Sequence, residues 1–161
     1  MALLTYNQQQ AIKPISANNE RRYLQLQKDV EDVELPRLLG FKLAQLVQDN
    51  PLNHVDLLDG SAFDYCGYQL KHKGLRYCLA YFTYAEYVIQ SQFEDTFTGM
   101  VRQNRTESEH ATGGQLKQIQ QISIKAAETA FELVKKYIET MDLIECERPK
   151  HRGPSNNFHN I

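Results

Sequence analysis

The stretch Phe63–Gln92, FDYCGYQLKHKGLRYCLAYFTYAEYVIQSQ, decides the fold. Its first part alternates Tyr68 and Leu70 with polar residues around a turn at Gly67, which predicts a small hairpin over about 63–73. Its second part predicts a helix that is apolar or aromatic on nearly every side. Leu75, Cys78, Leu79, Phe82, Ala85 and Ile89 recur at spacings of three and four, and Tyr77, Tyr81, Tyr84 and Val88 form a second stripe. A helix of this kind has to be covered on two sides, at roughly 1.5 to 3 kcal/mol for each buried large side chain. It is the centre of a bundle or the floor of an interface.

Upstream, Ser16, Asn18 and Asn19 are candidate caps for a helix with Tyr23, Leu26, Val30 and Val33 on one face and Lys28, Asp29, Glu31, Asp32 and Glu34 on the other. Pro36 is expected to end or kink it, or to start the next. Arg37–Gln48 reads as a second helix interrupted at Gly40, and Val55–Leu58 as a turn or short helix ended by Gly60. Met1–Ile15 is polar and Gln-rich, with Pro14 as a breaker, and is expected to be an extended tail.

Downstream, apolar periodicity stops between Gln92 and Gly114. A loop-like excursion of this length inside a compact domain is usually functional or strand-forming. We expect an extended arm, with Phe97, Met100 and Val101 as apolar anchors and Arg102 beside them. The final helix, Gln115 to about Met141, carries Leu116, Ile119, Ile122, Ala126, Ala130, Leu133 and Tyr137 on its expected inner stripe, which Val134, Ile138 and Met141 widen, and Ala126, Ala127 and Ala130 would let another helix approach closely. The core list from these helices is Leu75, Leu79, Phe82, Ile89, Ile119, Leu133 and Tyr137.

Beyond Met141 the chain turns to Pro, Gly, Asn and charge, and is expected to be a second extended tail. Ordering about twenty such residues would cost on the order of tens of kcal/mol. Leu143, Ile144, Phe158 and Ile161 are too few to offset that, so both tails are expected to lie on other copies or other proteins.

With 161 residues, 42% of them hydrophobic, the chain can build one domain with a real core. A net charge of -2 and a pI near 6.2 speak against a dedicated duplex-DNA reader, which needs a basic surplus. Cys66, Cys78 and Cys146 leave an odd thiol and form no C-x-x-C, so reduced cysteines are expected. The amino terminus lacks a signal-peptide pattern and no apolar run is long enough to span a membrane, so no membrane partner is expected.

His54, His72, His110, His151 and His159 are scattered, with no H-E-x-x-H and no metal-ligand spacing. Lys71–Gly74 precedes a helix but lacks the P-loop pattern. A Cys–His nucleophile pair, for instance Cys66 with His110, would need the hairpin and the arm to meet, and nothing local marks either residue. No catalytic residue, metal or cofactor is expected. Arg148, Lys150, His151 and Arg152 make a basic cluster suited to acidic protein surfaces or to nucleic acid.

The order of features continues outward from the opening stretch. It runs from LPRLLGFKLAQLVQDNPLNHVDLLDG (Leu35–Gly60), through the hairpin closing on Lys73-Gly74-Leu75 and the aromatic helix, to TFTGMVRQNRTESEHATGG (Thr96–Gly114) and one long helix. Over Asn19–Met141 this resembles the head-to-tail connector proteins of tailed phages, above all those of crAss-like phages that infect gut bacteria. The resemblance implies a mainly α fold: a helical bundle with a small hairpin, an arm between the last two long helices, and extended tails. The division is a tail at 1–15, a connector domain at 16–141 and a tail at 142–161.

It also implies a non-enzymatic virion protein of the neck, made in the host cytoplasm, forming a ring of about twelve copies around the DNA channel. Its partners would be the portal protein, other neck or tail proteins, and DNA passing through without sequence-specific contact. Contacts would fall on Phe97, Met100, Val101, Arg102, Leu143, Ile144, Arg148, Arg152, Phe158 and Ile161. The alternative reading is a helical adaptor or regulatory module acting through exposed tails.

Overall fold

A computed structural model of the chain describes residues 2–15, 20–91, 93–96, 99–102 and 113–141. The architecture is mainly helical: α1 Tyr6–Ile12, α2 Glu20–Leu39, α3 Phe41–Asp49, a 3-10 turn Pro51–His54, α4 Val55–Asp59, α5 Leu75–Gln90 and α6 Gly113–Thr140. Two antiparallel hairpins complete it: β1 Ala62–Tyr65 with β2 Tyr68–Lys71, and β3 Phe93–Thr96 with β4 Gly99–Arg102.

α5 is the central element. It packs along α6 and also meets α1, α2 and α4. Leu75, Cys78, Leu79 and Ala80 are fully buried, and Phe82, Ala85 and Val88 nearly so, so three faces of this helix are lost to solvent. Ile89 is only half-buried, and Val88 takes the inward position expected of it.

The β1–β2 turn is formed by Cys66 and Gly67, both at positive φ, as a tight hairpin connection demands. The Gly67 amide donates to Asp64 Oδ1 at 3.0 Å and completes the turn. Phe63 points inward, edge-on to Tyr137 of α6 at 5.5 Å between centroids, which ties the hairpin to the bundle.

Three expectations are corrected. α2 runs through Pro36 and breaks at Gly40 instead. Burial of Leu35 and Leu39 on either side of the proline, at about 1.5 to 3 kcal/mol each, offsets the roughly 3 kcal/mol of an interior proline.

The N-terminal segment is not an extended tail. Thr5 and Gln8 form a capping box that starts α1, with the Gln8 amide donating to Thr5 Oγ1 and the Thr5 amide to Gln8 Oε1. Leu3 and Leu4 are buried in the main core. Their amides donate to the buried Glu31 carboxylate at 3.0–3.1 Å, and Arg76 Nε donates to the Leu3 carbonyl at 2.7 Å.

The inner face of α6 is turned from the expected stripe. Ser123, Ala127, Val134, Tyr137 and Ile138 are buried, whereas Ile119 is 37% exposed, Ile122 is 61% exposed and Leu133 is half-buried. Close approach of α5 selects the small residues Ser123 and Ala127 and leaves the bulky ones on the flank. Ser123 Oγ satisfies itself by donating to the Ile119 carbonyl at 2.8 Å.

Candidate functional site

The rotation of α6 leaves a groove on one of its flanks. Ile122, Ala126, Thr129 and Leu133 form one wall, and Tyr77 of α5 with Lys71 and Lys73 from the end of the first hairpin form the other. The space is about 460 Å³, and Lys125 joins the two other lysines at its rim. No carboxylate among the described residues lines it. Lys73 Nζ sits 4.3 Å from the Tyr77 ring centroid and donates to the Tyr77 hydroxyl at 3.2 Å, and Tyr77 in turn stacks on Tyr81 at 4.7 Å.

The opposite flank of α6 has the reverse charge. Ile124 and Glu128 face Val30 and Glu34 of α2, and Glu86 of α5 adds a third carboxylate to this narrower cleft of about 200 Å³. Arg37 is paired with Glu34 at 2.5 Å and lies over the Phe82 ring at 5.2 Å, so it closes the cleft from the α2 side.

Away from these flanks, large apolar side chains stand in solvent. On the outer face of α2 Leu24 is 45% and Val33 64% exposed, and further on Phe41 is 83% and Leu52 86% exposed.

His72 is the buried histidine among the described residues. It lies against Tyr137 and Phe63, with ring centroids at 4.5 and 5.7 Å. Burial holds its pKa below the usual imidazole value, against a smaller opposing pull from Asp56. The Gly74 amide donates to His72 Nδ1 at 3.2 Å, so Nε2 carries the hydrogen and donates to Ser61 Oγ, also at 3.2 Å. A ring nitrogen that donates to a serine cannot take its proton, so this pair is set up to brace the hairpin and not to activate a nucleophile.

Cys78 is buried and its thiol is pushed up to about 12 by desolvation, which keeps it an unreactive packing group. Cys66 is exposed at the hairpin turn. Among the described residues no group of His, Cys, Asp and Glu could hold a metal ion, and no helix is long and apolar enough to cross a membrane.

Of the expected contact residues, Met100, Val101 and Arg102 fall on β4, opposite Asp95, Glu94 and Phe93 of β3. The arm is therefore in part a two-stranded ribbon, and among the described residues it pairs chiefly with itself. Phe97, Leu143, Ile144, Arg148, Arg152, Phe158 and Ile161 lie outside the described residues. The α6 groove was missed by sequence reasoning, although a signal existed: the apolar stripe of α6 is wider than one helix face can bury, and its edge at Ile122 is left outside.

No curated protein and no solved structure matches the chain. A family model does match, over residues 35–143, from the end of α2 to just beyond α6, which is more than half of the 161 residues. The chain belongs to DUF6712, a family of unknown function.

Proposed function

We propose that this chain is a non-enzymatic structural protein of a phage neck, one copy in a ring that joins the portal to the tail and surrounds the passing DNA. The observation that carries this reading is the β3–β4 ribbon. It leaves the bundle between α5 and α6 and is paired with itself, and a lone two-stranded hairpin is only marginally stable in water. An element of that kind is held by a neighbour, and in a ring the neighbour is the next copy.

The resemblance of Leu35–Gly60, Lys73–Leu75 and Thr96–Gly114 to phage connectors supports the same conclusion, as do the large apolar side chains exposed on α2, α3 and α6. The N-terminal segment lends no support, because Leu3 and Leu4 are buried in the chain's own core. In this reading the helical bundle is the rigid brick, the arm and the C-terminal segment make contacts between copies and with portal or tail proteins, and a nearly neutral protein lets DNA slide past.

Deleting Thr96–Arg105 tests it. The expected product is a helical, soluble chain that no longer assembles in electron micrographs or mass photometry, whether alone or mixed with its portal. Unchanged rings would remove the arm from the interface, and a monomer of the intact chain that binds one partner would favour the adaptor reading.

A further inference from the structure

We propose that the lysine-rimmed groove on α6 receives residues 142–147, DLIECE, of a second copy of this chain. The inference rests on the ring reading above and deepens it by naming the two surfaces that meet.

The first argument is chemistry. Ile122, Ala126, Ala130 and Leu133 give the groove an aliphatic floor, and Ile122 is 61% exposed there. Lys71, Lys73 and Lys125 rim it, and none of them forms an ion pair with a described residue. An occupant that covers this floor and meets this rim brings aliphatic side chains and carboxylates together. Residues 142–147 do so in one short run: Leu143 and Ile144 are adjacent, Asp142, Glu145 and Glu147 surround them, and no cation interrupts. The comparable run Asp56–Asp59 has its Leu57 and Leu58 buried, and Glu94 and Asp95 belong to a ribbon that carries its own Arg102. Two copies meeting groove to groove would set lysines against lysines.

The second argument is length. Ile122 precedes Thr140, the last residue of α6, by eighteen residues, or about 27 Å at the rise of an α-helix. Ile144 follows Thr140 by four residues, a reach of about 14 Å at full extension. A chain's own Leu143 and Ile144 thus stop short of Ile122, and the copy that covers it with these side chains is another one. The segment leaves the end of α6 and the groove lies along its flank. Two unlike surfaces of this kind make a head-to-tail contact, and such contacts propagate into a closed ring or a filament.

The lysines would act mainly on partner choice and orientation, and the aliphatic contact on affinity.

Two full-length chains test the contact, both carrying Cys66→Ser. One has Ile122→Cys with Cys146→Ser, and the other keeps its native Cys146; they are mixed and oxidised. Position 122 is exposed, Cys78 is buried, and circular dichroism checks that the helices persist. The expected result is a 122–146 disulfide between copies in excess of either like-with-like bridge. Glu145→Lys on the Cys146 copy should lower its yield by about fivefold, the upper end for an exposed ion pair. Lys125→Glu on the Ile122→Cys copy should restore it.

Assembly of the wild-type chain without a 122–146 bridge, or with like-with-like bridges prevailing, would overturn this interface and leave the ring standing. A 122–146 bridge formed at high dilution within a single chain carrying both cysteines would overturn the assignment to a second copy. A wild-type chain that stays single at every concentration, alone and with its portal, would overturn both the contact and the ring. Loss of Ile122→Cys labelling on adding duplex DNA, with self-association unchanged, would give the groove to nucleic acid and overturn the inference.

Discussion

Gly60 and Gly74 meet backbone to backbone where α4 ends and α5 begins. A Cβ on Gly74 would lie 2.6 Å from the Gly60 nitrogen, and one on Gly60 would lie 3.0 Å from the Gly74 nitrogen. Both residues also sit at positive φ, 91° and 82°. This crossing sets the angle at which the first hairpin delivers the chain into the central helix, so it positions everything that packs on α5.

Gly74→Ala should therefore destabilise the fold by more than about 3 kcal/mol, since left-handed strain of about 1 to 2 kcal/mol is compounded by a clash with backbone that cannot yield. Gly67→Ala is the control. Gly67 has φ of 84° but open space around it, so only the strain of about 1 to 2 kcal/mol should appear. Urea unfolding of the two variants checks the difference.

Glu31 should prove the main anchor of the N-terminal segment. Its carboxylate accepts from the amides of Leu3 and Leu4 and from Gln27 Nε2 at 3.0–3.1 Å. Glu31→Ala would strand those buried donors, at about 1 to 3 kcal/mol for each left unpaired. Amide exchange at Leu3 and Leu4 should accelerate strongly, while exchange in α5 changes only in line with the lost global stability. Equal acceleration in both places would show that the segment is not separately held.

The main elements were legible because they rest on periodicity. α5, α6 and the first hairpin follow from the spacing of Leu75, Leu79 and Phe82 and from the Gly67 turn. What escaped depends on contacts distant in sequence. Leu3 and Leu4 read as the start of a polar tail because their partners, Glu31 and Arg76, lie in α2 and α5. The capping box of Thr5 and Gln8 was the one local sign that a helix begins there.

The α6 groove escaped for a related reason. Hydrophobicity ranks Ile119 and Ile122 above Ser123 and Ala127, but the spacing between two helices is set by which face lets them approach. Periodicity found the helix and could not fix its rotation.

Lowering the pH should loosen the hairpin. Burial lowers the folded-state pKa of His72, so below the ordinary imidazole value of about 6.5 the unfolded chain binds the proton more readily than the folded one. The stability His72 contributes is thus fully present above that value and is lost as pH falls through the folded-state pKa. The melting temperature should fall between about pH 7 and pH 5, above the range where ordinary carboxylates titrate. His72→Gln should be less stable at pH 7 and show a flatter profile over the same interval. An unchanged slope in that variant would assign the pH dependence to another group.

The phase of the core can be tested by pairing Phe82 with Ile119. Both were expected inside, at equivalent helical spacing, yet Phe82 is 4% and Ile119 37% exposed. Phe82→Ala should cost about 3 to 5 kcal/mol, because it removes a ring between α2, α5 and α6 and leaves a cavity their backbones cannot close. Ile119→Ala on the isolated chain should cost about 1 kcal/mol or less, the range of a surface position at a helix whose propensity alanine improves. If the two costs came out alike in chemical denaturation, α6 would be rotated from the position described, with Ile119 inward. The groove beside Ile122 would then close.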